Sequence, residues 1–432
     1  MRIAILGYGV EGKSAERYLK KALGGSVAKL EIEIRDVKKQ GKGYLKNLEK
    51  FDMIVRSPGI PYLRLEIQKA KKKGVEITST TKLFFENAKG ILVGITGTKG
   101  KGTTATLLYK ILKASHLSSR DLSKRNIHLI GNMGIPMLDE LPKLKKNSIS
   151  ILELSSFQLQ DMVVSPHIAA VLDISQDHLN YHKSFKEYID AKSQIVSNPP
   201  STPSIFQGWD GKKIKNKQVF YFPDNKSSKQ IAQKSKGKKI AVLADKSLIL
   251  KISGAHNLKN ASMAATIARA LGAEKSIINK TIRNFKGLPH RLEFVREING
   301  IRFYNDSAST NPAATVAAIS AFKESKILIA GGAGKNLDYR PIGKVLKNSN
   351  TKLVILNGQN RKEIGRVIGG AESSAPHIIY VKDLRSAINL AYKKAKKGDV
   401  IILSPASTGL DQFSGYGERG DVFRKIVRLM RR

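Results

Sequence analysis

The chain has 432 residues, contains no cysteine and carries a formal net charge of +41 at pH 7. This length predicts about three domains of roughly 150 residues each. The lack of cysteine excludes disulfides, zinc–thiolate sites and cysteine nucleophiles. No apolar run approaches the roughly 20 residues that span a bilayer, and glycines interrupt the short apolar stretch at the start. We therefore expect a cytoplasmic protein with no membrane partner.

The positive charge has two interpretations. Lysine and arginine total 76 against 35 acidic residues, a balance typical of nucleic-acid-binding proteins when the basic residues cluster. Here the lysines are scattered along the chain, and aromatic residues make up only 6%. We favour lysines spread over a solvated surface and expect no nucleic-acid partner, although the positive field would attract nucleotides.

Residues 1–88 alternate between strands and helices, which predicts a mostly parallel sheet. The predicted strands are IAILGYG, KLEIEIRD, DMIVRSPGI and VEITST. Gly7, Gly9 and Gly12 match the fingerprint of dinucleotide-binding loops, and Asp36 closes the second strand. This pattern predicts either a nucleotide contact near Gly9 and Asp36 or a purely structural turn, with equal weight.

Residues 89–289 begin with the strand ILVGIT, a glycine-rich loop and a helix. A nucleoside triphosphate needs close backbone N–H donors, a lysine for the outer phosphates and a hydroxyl for Mg²⁺. Lys101 is the phosphate lysine. Gly102 stands where Ser or Thr usually follows that lysine, so we expect the hydroxyl from Thr103. The helix should open at Thr103 or Thr104, with its N-terminal dipole towards the anion. We therefore predict an ATP-using enzyme rather than a structural turn.

Metal-binding side chains follow two further predicted strands. Glu153 lies at the end of SISILEL, and Asp177 and His178 follow HIAAVLDI. The carboxyl ends of parallel strands meet at the edge of the sheet that carries the phosphate loop. Carboxylate and imidazole groups are both competent metal ligands. The sequence predicts a metal site there, and a packed or surface histidine is the alternative.

Lys192 interrupts the apolar stripe of the helix SFKEYIDAKSQIV, which begins with a capping box. Phe185, Ile189 and Val196 form the rest of that stripe. Burial lowers the pKa of a lysine, and a neutral amine can react with CO₂ to give a carbamate, an anionic ligand for Mg²⁺. A lysine that extends to solvent at the edge of the stripe is the simpler alternative, which physical chemistry alone favours.

Residues 290–432 predict a third α/β unit, with the strands RFYND, KILIAGG, KLVILNG, HIIYV and DVIILSPAS. The predicted fold class is therefore α/β. The predicted domains are residues 1–88, 89–289 and 290–432.

Ten segments, in order along nearly the whole chain, together resemble the Mur ligases. They are GITGTKGKGTT, GNMGIP, LELSSFQL, DHLNYH, YIDAK, GAHNLKN, GLPHRLE, NDSASTN, GGAGKN and SPASTGLDQF. The resemblance implies a Rossmann-like first domain that binds the UDP part of a substrate. It further implies a P-loop central domain with a mostly parallel sheet that binds ATP, and a Rossmann-like third domain that brings an amino acid. We expect a monomer.

The resemblance also implies roles for individual residues. Catalysis would depend on Lys101, Glu153, His178 and Lys192. One Mg²⁺ would be held by Thr103, and a second by Glu153, His178 and carbamylated Lys192. The residues that would contact ATP are Gly97, Thr98, Lys99, Gly100, Lys101, Gly102, Thr103, Thr104, Asn260, His290, Arg291 and Asp306. The residues that would contact the UDP substrate or the amino acid are Gly9, Asp36, Ser57, Gly59, Asn132, Thr310, Lys335, Ser407, Thr408 and Tyr416.

The implied reaction is an ATP-driven ligation that joins D-glutamate to UDP-N-acetylmuramoyl-L-alanine through an acyl phosphate, in peptidoglycan precursor synthesis. The chain departs from D-glutamate-adding ligases in its third domain. Ala308 replaces a common lysine, Gly409 replaces a serine that helps to hold the glutamate side chain, and Tyr416 replaces a phenylalanine. A Mur-type or folylpolyglutamate-type ligase with another amino acid or acceptor is therefore an alternative. A basic nucleic-acid-binding protein on a ligase fold is a weaker one, since the catalytic set is intact.

Overall fold

Strands and helices alternate through the computed structural model. It describes residues 1–24, 29–115, 124–131, 136–178, 181–197, 206–207, 213–214, 217–252, 254–334, 337–369 and 376–430. Most neighbouring strands in these ranges pair in parallel, as helices inserted between consecutive strands require. The fold class is α/β, as predicted.

The N-terminal sheet is parallel, with strand order β2-β1-β3-β4. Its strands are β1 (Arg2–Leu6), β2 (Glu31–Arg35), β3 (Met53–Arg56) and β4 (Glu76–Ser79). Its helices are α1 (Val10–Leu23), α2 (Val37–Gln40), α3 (Leu65–Lys72) and α4 (Thr80–Asn87), and short 3₁₀ helices span Gly41–Leu45 and Leu48–Lys50. The turn from β1 into α1 and the end of β3 therefore lie side by side at the carboxyl edge.

The central sheet is also parallel and has the order β12-β11-β8-β5-β7-β6. Its strands are β5 (Ile91–Thr96), β6 (Asn126–Gly131), β7 (Ser148–Glu153), β8 (Ile168–Val171), β11 (Gln218–Tyr221) and β12 (Lys238–Ala241), while β9 (Phe206–Gln207) and β10 (Lys213–Ile214) pair separately. The helices are α5 (Lys101–Ser115), α6 (Met137–Glu140), α7 (Ser156–Leu159), α8 (Phe185–Ser197), α9 (Lys226–Gln233), α10 (Ala255–Ala270) and α11 (Lys275–Asn284), with a 3₁₀ helix at Leu141–Lys143. Strand β5, which leads into the phosphate loop, lies between β7 and β8.

The C-terminal sheet has the order β13-β14-β18-β15-β16-β17, and only the pairing of β13 with β14 is antiparallel within its described strands. The strands are β13 (Glu293–Ile298), β14 (Ile301–Asn305), β15 (Lys326–Ala330), β16 (Thr351–Leu356), β17 (His377–Tyr380) and β18 (Val400–Leu403). The helices are α12 (Pro312–Ser320), α13 (Arg340–Lys347), α14 (Arg361–Ile368), α15 (Leu384–Lys394) and α16 (Tyr416–Leu429). Apolar clusters cover both faces of this sheet.

Two compact units divide the chain, Met1–Phe285 and Lys286–Arg432. In the first unit, one apolar cluster contains Ile3 and Phe84 from the N-terminal segment and Leu92, Met137 and Leu152 from the central segment. The N-terminal and central sheets therefore share a core, and the three-domain limits stay a prediction. Within the described residues, no helix has both the length and the apolar composition needed to cross a membrane.

The strands predicted around the motifs are confirmed, with ends that differ by a few residues. Helix α5 starts at Lys101, so the prediction that it opens at Thr103 or Thr104 was wrong. Strand β13 was not predicted, because its pattern EFVREI is largely polar and partly exposed at the edge of the sheet. The early start of α5 places the backbone N–H groups of Lys101, Gly102 and Thr103 in its first turn.

Gly12 should be intolerant of substitution because of close packing. A Cβ atom at this position would lie 2.1 Å from the carbonyl oxygen of Gly7, whereas a Cβ at Gly9 would meet nothing within 4 Å. We expect Gly12→Ala to lower the free energy of unfolding by about 1–3 kcal/mol, as an overpacked backbone contact does. Denaturant unfolding measures this, with Gly9→Ala as the matched control. Equal stability of the two variants would contradict the packing described.

Candidate active site

The phosphate loop, residues 97–100, joins β5 to α5 in a tight conformation. Gly100 has a φ of +85°, in the left-handed region, and an added Cβ would lie 2.3 Å from Oδ1 of Asn260. The side chain of Asn260 on α10 therefore lies directly against the loop. Both conditions exclude larger residues at Gly100. The resemblance includes Asn260 among the ATP contacts, and its side chain packs against the loop itself.

Thr98 fixes the loop to the elements that follow β8. Its backbone N–H donates to Asp173 O (2.9 Å), and its hydroxyl donates to Ser175 O (3.0 Å) while accepting from Ser175 N–H (2.9 Å). The hydroxyl of Tyr188 on α8 lies 3.0 Å from Thr98 Oγ1. The loop is thus held by backbone and side-chain bonds independent of any ligand.

Lys101 folds back over the loop that precedes it. Its Nζ donates to Gly97 O (3.0 Å) and to Thr98 O (3.1 Å). Thr103 is partly exposed, whereas Thr104 is fully buried. Thr103 is thus the more accessible of the two, and its assignment as the magnesium hydroxyl stays a prediction. Lys99 is exposed at the tip of the loop.

Lys192 is buried in the centre of the site, with a relative exposure of 1%. Its Nζ donates to Gly97 O (3.0 Å) and Thr96 Oγ1 (3.3 Å) and lies 4.6 Å from the ring centroid of Tyr188. Burial, together with the ammonium of Lys101, holds the pKa of Lys192 well below its usual value, against the opposing charges of Asp177 and Glu153. The interpretation of a lysine that extends to solvent was therefore wrong, because the stripe lies inside the core.

Glu153 and His178 flank this lysine from the two strands beside β5. Glu153 ends β7, opposite Ile95 of β5, and is 6% exposed. His178 follows β8 in a left-handed conformation with a φ of 55°. Partial burial lowers the pKa of His178, the nearby Asp177 carboxylate opposes this, and the charges of Lys192 and Lys101 add to it. A neutral imidazole is the form that binds a metal.

A divalent cation fits the donor types found here. No group of three or more His, Asp or Glu side chains that could hold a metal occurs in the described ranges. Glu153 and His178 each interact electrostatically with Lys192. Their role as magnesium ligands together with a carbamate on Lys192 stays a prediction.

The N-terminal candidates line two neighbouring loops. Both carboxylate oxygens of Asp36 accept backbone N–H groups, from Tyr8 (2.6 Å) and Lys38 (2.8 Å). Ser57 Oγ donates to Gly7 O (2.8 Å). Asp36 and Ser57 thus shape the turn between β1 and α1, while Gly9 and Gly59 are exposed beside it. The contact of these residues with a uridine stays a prediction.

In the second unit, Asp306 and Ser407 are occupied by internal hydrogen bonds. Asp306 is buried and accepts from Ser309 Oγ, Ser404 Oγ (2.8 Å) and Leu292 N–H (3.1 Å), and burial raises its pKa to about 6. Ser407 Oγ accepts from the side-chain amide of Asn360 (2.7 Å). The contact of Asp306 with ATP stays a prediction.

Thr408 differs from Ser407 in its hydrogen bonding. Its Oγ1 is buried and, among the residues the structure describes, has no hydrogen-bond partner. Of these two hydroxyls, that of Thr408 is therefore the one available to a ligand. Tyr416 is half-exposed at the start of α16.

The remaining candidates divide into those that the structure places and those that it does not describe. His290 has a φ of 62°, and its Nδ1 lies 3.0 Å from Nδ2 of Asn305. Arg291 is exposed and Thr310 is partly buried. Asn132 and Lys335 lie outside the described residues.

Comparisons with known proteins agree with this geometry. The Mur ligase middle domain matches residues 95–268, and the Mur ligase glutamate ligase domain matches residues 290–407. A UDP-N-acetylmuramoylalanine–D-glutamate ligase of Acetivibrio thermocellus is 34% identical over 99% of this chain and 96% of its own length. The chain belongs to the Mur ligase family. A ligase of the same name from Lactobacillus acidophilus is also 34% identical, over 88% of this chain and 83% of its own.

Solved Mur ligase structures share the fold. The UDP-N-acetylmuramate–alanine ligase MurC of Thermotoga maritima has a TM-score of 0.56 at 19% identity, covering 99% of this chain and 100% of its own. The folylpolyglutamate synthase of the same organism has a TM-score of 0.54 at 14% identity, covering 76% of this chain and 90% of its own. The fold alone therefore does not separate Mur ligases from folate-extending ligases.

Several residues that contact the candidate residues within each unit were missed from the sequence. Tyr188 and Tyr181 are aromatic residues of helical or loop segments, and nothing in their spacing distinguishes them from core residues. Arg419 is 3% exposed and donates to Ser307 Oγ (2.9 Å) and Ser407 O (2.9 Å). Burial lowers the pKa of Arg419 to about 10. Arginines in helices are usually exposed, and no sequence pattern distinguishes Arg419 from its neighbours in α16.

Replacing Lys192 with methionine should stabilise the fold. Methionine keeps most of the volume and removes a buried amine, so we expect a gain of about 1–3 kcal/mol at pH 7. The pKa of Lys192 in the folded protein is below the 10.5 of an unperturbed lysine. The unfolded wild type therefore binds the proton more tightly, and wild-type stability rises with pH up to about 10.5.

The difference in the free energy of unfolding between Lys192→Met and wild type should accordingly become smaller from pH 7 to pH 10. Denaturant unfolding at each pH measures it. Lys186→Met, at an exposed position of the same helix, should show no such gap. A destabilised Lys192→Met variant at pH 7, or a gap independent of pH, would show that the amine is not held neutral.

Proposed function

We propose that this protein joins D-glutamate to the L-alanyl carboxylate of UDP-N-acetylmuramoyl-L-alanine at the expense of ATP, in peptidoglycan precursor synthesis. The observation that carries the proposal is Lys192, a buried amine that shares the carbonyl of Gly97 with the phosphate lysine Lys101. Such an arrangement suits carboxylate activation beside a nucleotide. The name shared by the curated relatives and their coverage of nearly the whole chain support the same substrate pair.

The reaction has two bond exchanges. A carboxylate oxygen of the acceptor attacks the γ-phosphorus of ATP, the bond to ADP breaks, and an acyl phosphate forms. The amine of D-glutamate then attacks the acyl carbon, the carbon–oxygen bond to phosphate breaks, and the amine loses a proton as the amide forms. Both exchanges bring anions together, so positive charge placed in advance lowers the barrier.

The chain supplies that charge from the phosphate loop. Lys101 is held over the loop by the carbonyls of Gly97 and Thr98 and can exchange these weak acceptors for phosphate oxygens. The first-turn amides of α5 point out of the helix N-terminus, where anions are stabilised. Thr98, Tyr188 and Asn260 keep the loop in place while charge moves.

Thr103, Glu153, His178 and carbamylated Lys192 would hold two magnesium ions. When bound, Mg²⁺ neutralises charge where phosphate and carboxylate oxygens converge. The carbamate would form when the neutral amine of Lys192 attacks CO₂, making an N–C bond and releasing one proton. The low pKa of Lys192 favours the neutral amine that this reaction requires.

The choice of amino acid depends on the second unit. Ala308 and Gly409 remove a lysine and a serine that D-glutamate ligases commonly have, while the hydroxyl of Thr408 is available within the described residues. We propose that Thr408 replaces the missing serine as a donor to the glutamate side chain. Thr310, Lys335 and Tyr416 complete the proposed amino-acid contacts.

A panel of amino acids tests this function. Purified protein is supplied with Mg-ATP, bicarbonate and UDP-N-acetylmuramoyl-L-alanine, and phosphate release and product mass are measured for each amino acid. We expect turnover with D-glutamate at least about tenfold above any other amino acid, the ratio that about 1.4 kcal/mol of side-chain recognition provides. Lys101→Ala should abolish turnover, and Lys110→Ala, an exposed lysine of the same helix, should not.

Turnover with another amino acid would assign the chain to a related Mur-type reaction. Turnover with a folate acceptor instead of the UDP substrate would assign it to the folylpolyglutamate type. The absence of ATP turnover with every acceptor would refute the ligase function.

A further inference from the structure

Arg56 is an arginine with no access to solvent at the end of β3. Its guanidinium forms a two-pronged ion pair with Asp161, through Nη2 to Oδ1 (2.6 Å) and Nε to Oδ2 (3.2 Å). Asp161 is also buried, with 3% of its side chain exposed. A buried ion pair contributes little net stability compared with apolar residues of the same volume. Its presence therefore suggests a role beyond stability.

The remaining donors of Arg56 hold backbone carbonyls on two separate segments. Nη1 donates to Ile60 O (2.8 Å), and Nη2 donates to Phe157 O (3.1 Å). Ile60 belongs to the SPGI loop, residues 57–60, which contains the candidate uridine contacts. Phe157 lies in α7, directly after the strand that ends in Glu153. The planar guanidinium of Arg56 thus joins the SPGI loop to helix α7, which follows Glu153.

Tyr181, which follows β8, also contacts both the SPGI loop and Phe157. Its hydroxyl lies 3.0 Å from Pro58 O and 3.2 Å from Ile60 O, in the same SPGI loop. Its ring packs on Phe157 with 4.1 Å between centroids, and Phe157 also contacts the ring of His178 edge-on at 4.8 Å. The SPGI loop is therefore tied to His178 through two rings in direct contact.

A second, parallel chain of hydrogen bonds runs between the same two regions. The backbone N–H of Tyr62 donates to Gln160 Oε1 (3.1 Å), whose amide donates to Glu187 Oε1 (2.9 Å). Glu187 lies 3.2 Å from Nδ1 of the buried His182.

Both chains end at rings beside Tyr188, from His178 at 6.3 Å and from His182 at 5.4 Å between centroids. Tyr188 in turn contacts Thr98 of the phosphate loop. The direct contacts of Arg56 lie on the SPGI loop, so the larger effect of Arg56 is expected on the UDP side of the site.

We propose that Arg56, paired with Asp161, is a positioning residue that fixes the SPGI loop against the Phe157–His178 segment, so that the UDP substrate is bound in register with the catalytic centre. Arg56 is buried and acts through the loop carbonyls. The identity of the bound substrate rests on the proposed function. The coupling itself rests on contacts within the first unit.

Arg56→Lys keeps the positive charge for Asp161 but loses the fork that reaches two carbonyls at once. We expect the KM for the UDP substrate to rise about tenfold, as the loss of hydrogen bonds to a charged group predicts, and the KM for ATP to change less. Arg17→Lys is the matched control. Arg17 on α1 pairs with Asp139 on α6 (2.7 Å), so this ion pair also joins the N-terminal part of the first unit to its central part. Asp139 lies outside the SPGI loop.

A double variant separates positioning from stability. Arg56→Met combined with Asp161→Leu removes both charges, and the melting temperature should return to within a few degrees of wild type. The KM for the UDP substrate should stay raised, since neither new side chain can join the carbonyls of Ile60 and Phe157. A wild-type KM in this double variant, or in a well-folded Arg56→Lys variant, would overturn the proposal.

Calorimetric binding of UDP to the same proteins distinguishes this inference from the proposed function. Weaker UDP binding by Arg56→Lys than by wild type and Arg17→Lys supports the positioning role even without turnover. Equal UDP binding by all three contradicts it while leaving the ligase function intact. A wild type that neither binds UDP nor turns over contradicts both.

Discussion

Two lysine side chains converge on one carbonyl oxygen, that of Gly97, and the chemistry of the site depends on this contact. Lys101 Nζ and Lys192 Nζ each lie 3.0 Å from it. Burial and the neighbouring ammonium of Lys101 both lower the pKa of Lys192, the more deeply buried of the two amines. The phosphate loop therefore borders one lysine suited to phosphate and one buried lysine whose pKa is lowered. Replacing Lys101 with an uncharged residue would therefore raise the pKa of Lys192.

The loop can hold these groups because its own conformation is fixed from several sides. Thr98 is bonded to the segment after β8 and to Tyr188, and Asn260 packs against Gly100. Strand β5 lies between β7 and β8, so Glu153 and His178 flank the loop from adjacent strand ends. The parallel topology therefore brings together residues that are far apart in the sequence, as it does in open α/β sheets generally. The SPGI loop joins this arrangement through Arg56 and Tyr181.

The features that follow from local chemistry could be predicted from the sequence. The phosphate loop, the stripe that contains Lys192 and the strands beside the motifs are local patterns and were found, whereas β6 and β13 were not predicted. Whether Lys192 reaches solvent depends on the elements packed around its helix. Physical chemistry applied to that helix alone favoured a solvent-exposed amine, which was wrong. The pair of Arg56 with Asp161 spans 105 residues, and no spacing rule predicts such a contact. Likewise, Ser407 and Thr408 are equivalent in sequence, and only the distant Asn360 shows which hydroxyl is occupied.

The central claim, that Lys192 is a neutral amine able to form a carbamate beside the phosphate loop, is tested most directly by carbon-13 NMR of the protein in ¹³C-labelled bicarbonate. The account predicts a carbamate carbonyl resonance in wild type and in Lys186→Met, and its absence in Lys192→Met. The resonance should be lost reversibly when the solution is acidified enough to protonate the amine. A wild-type spectrum identical to that of Lys192→Met would contradict the account.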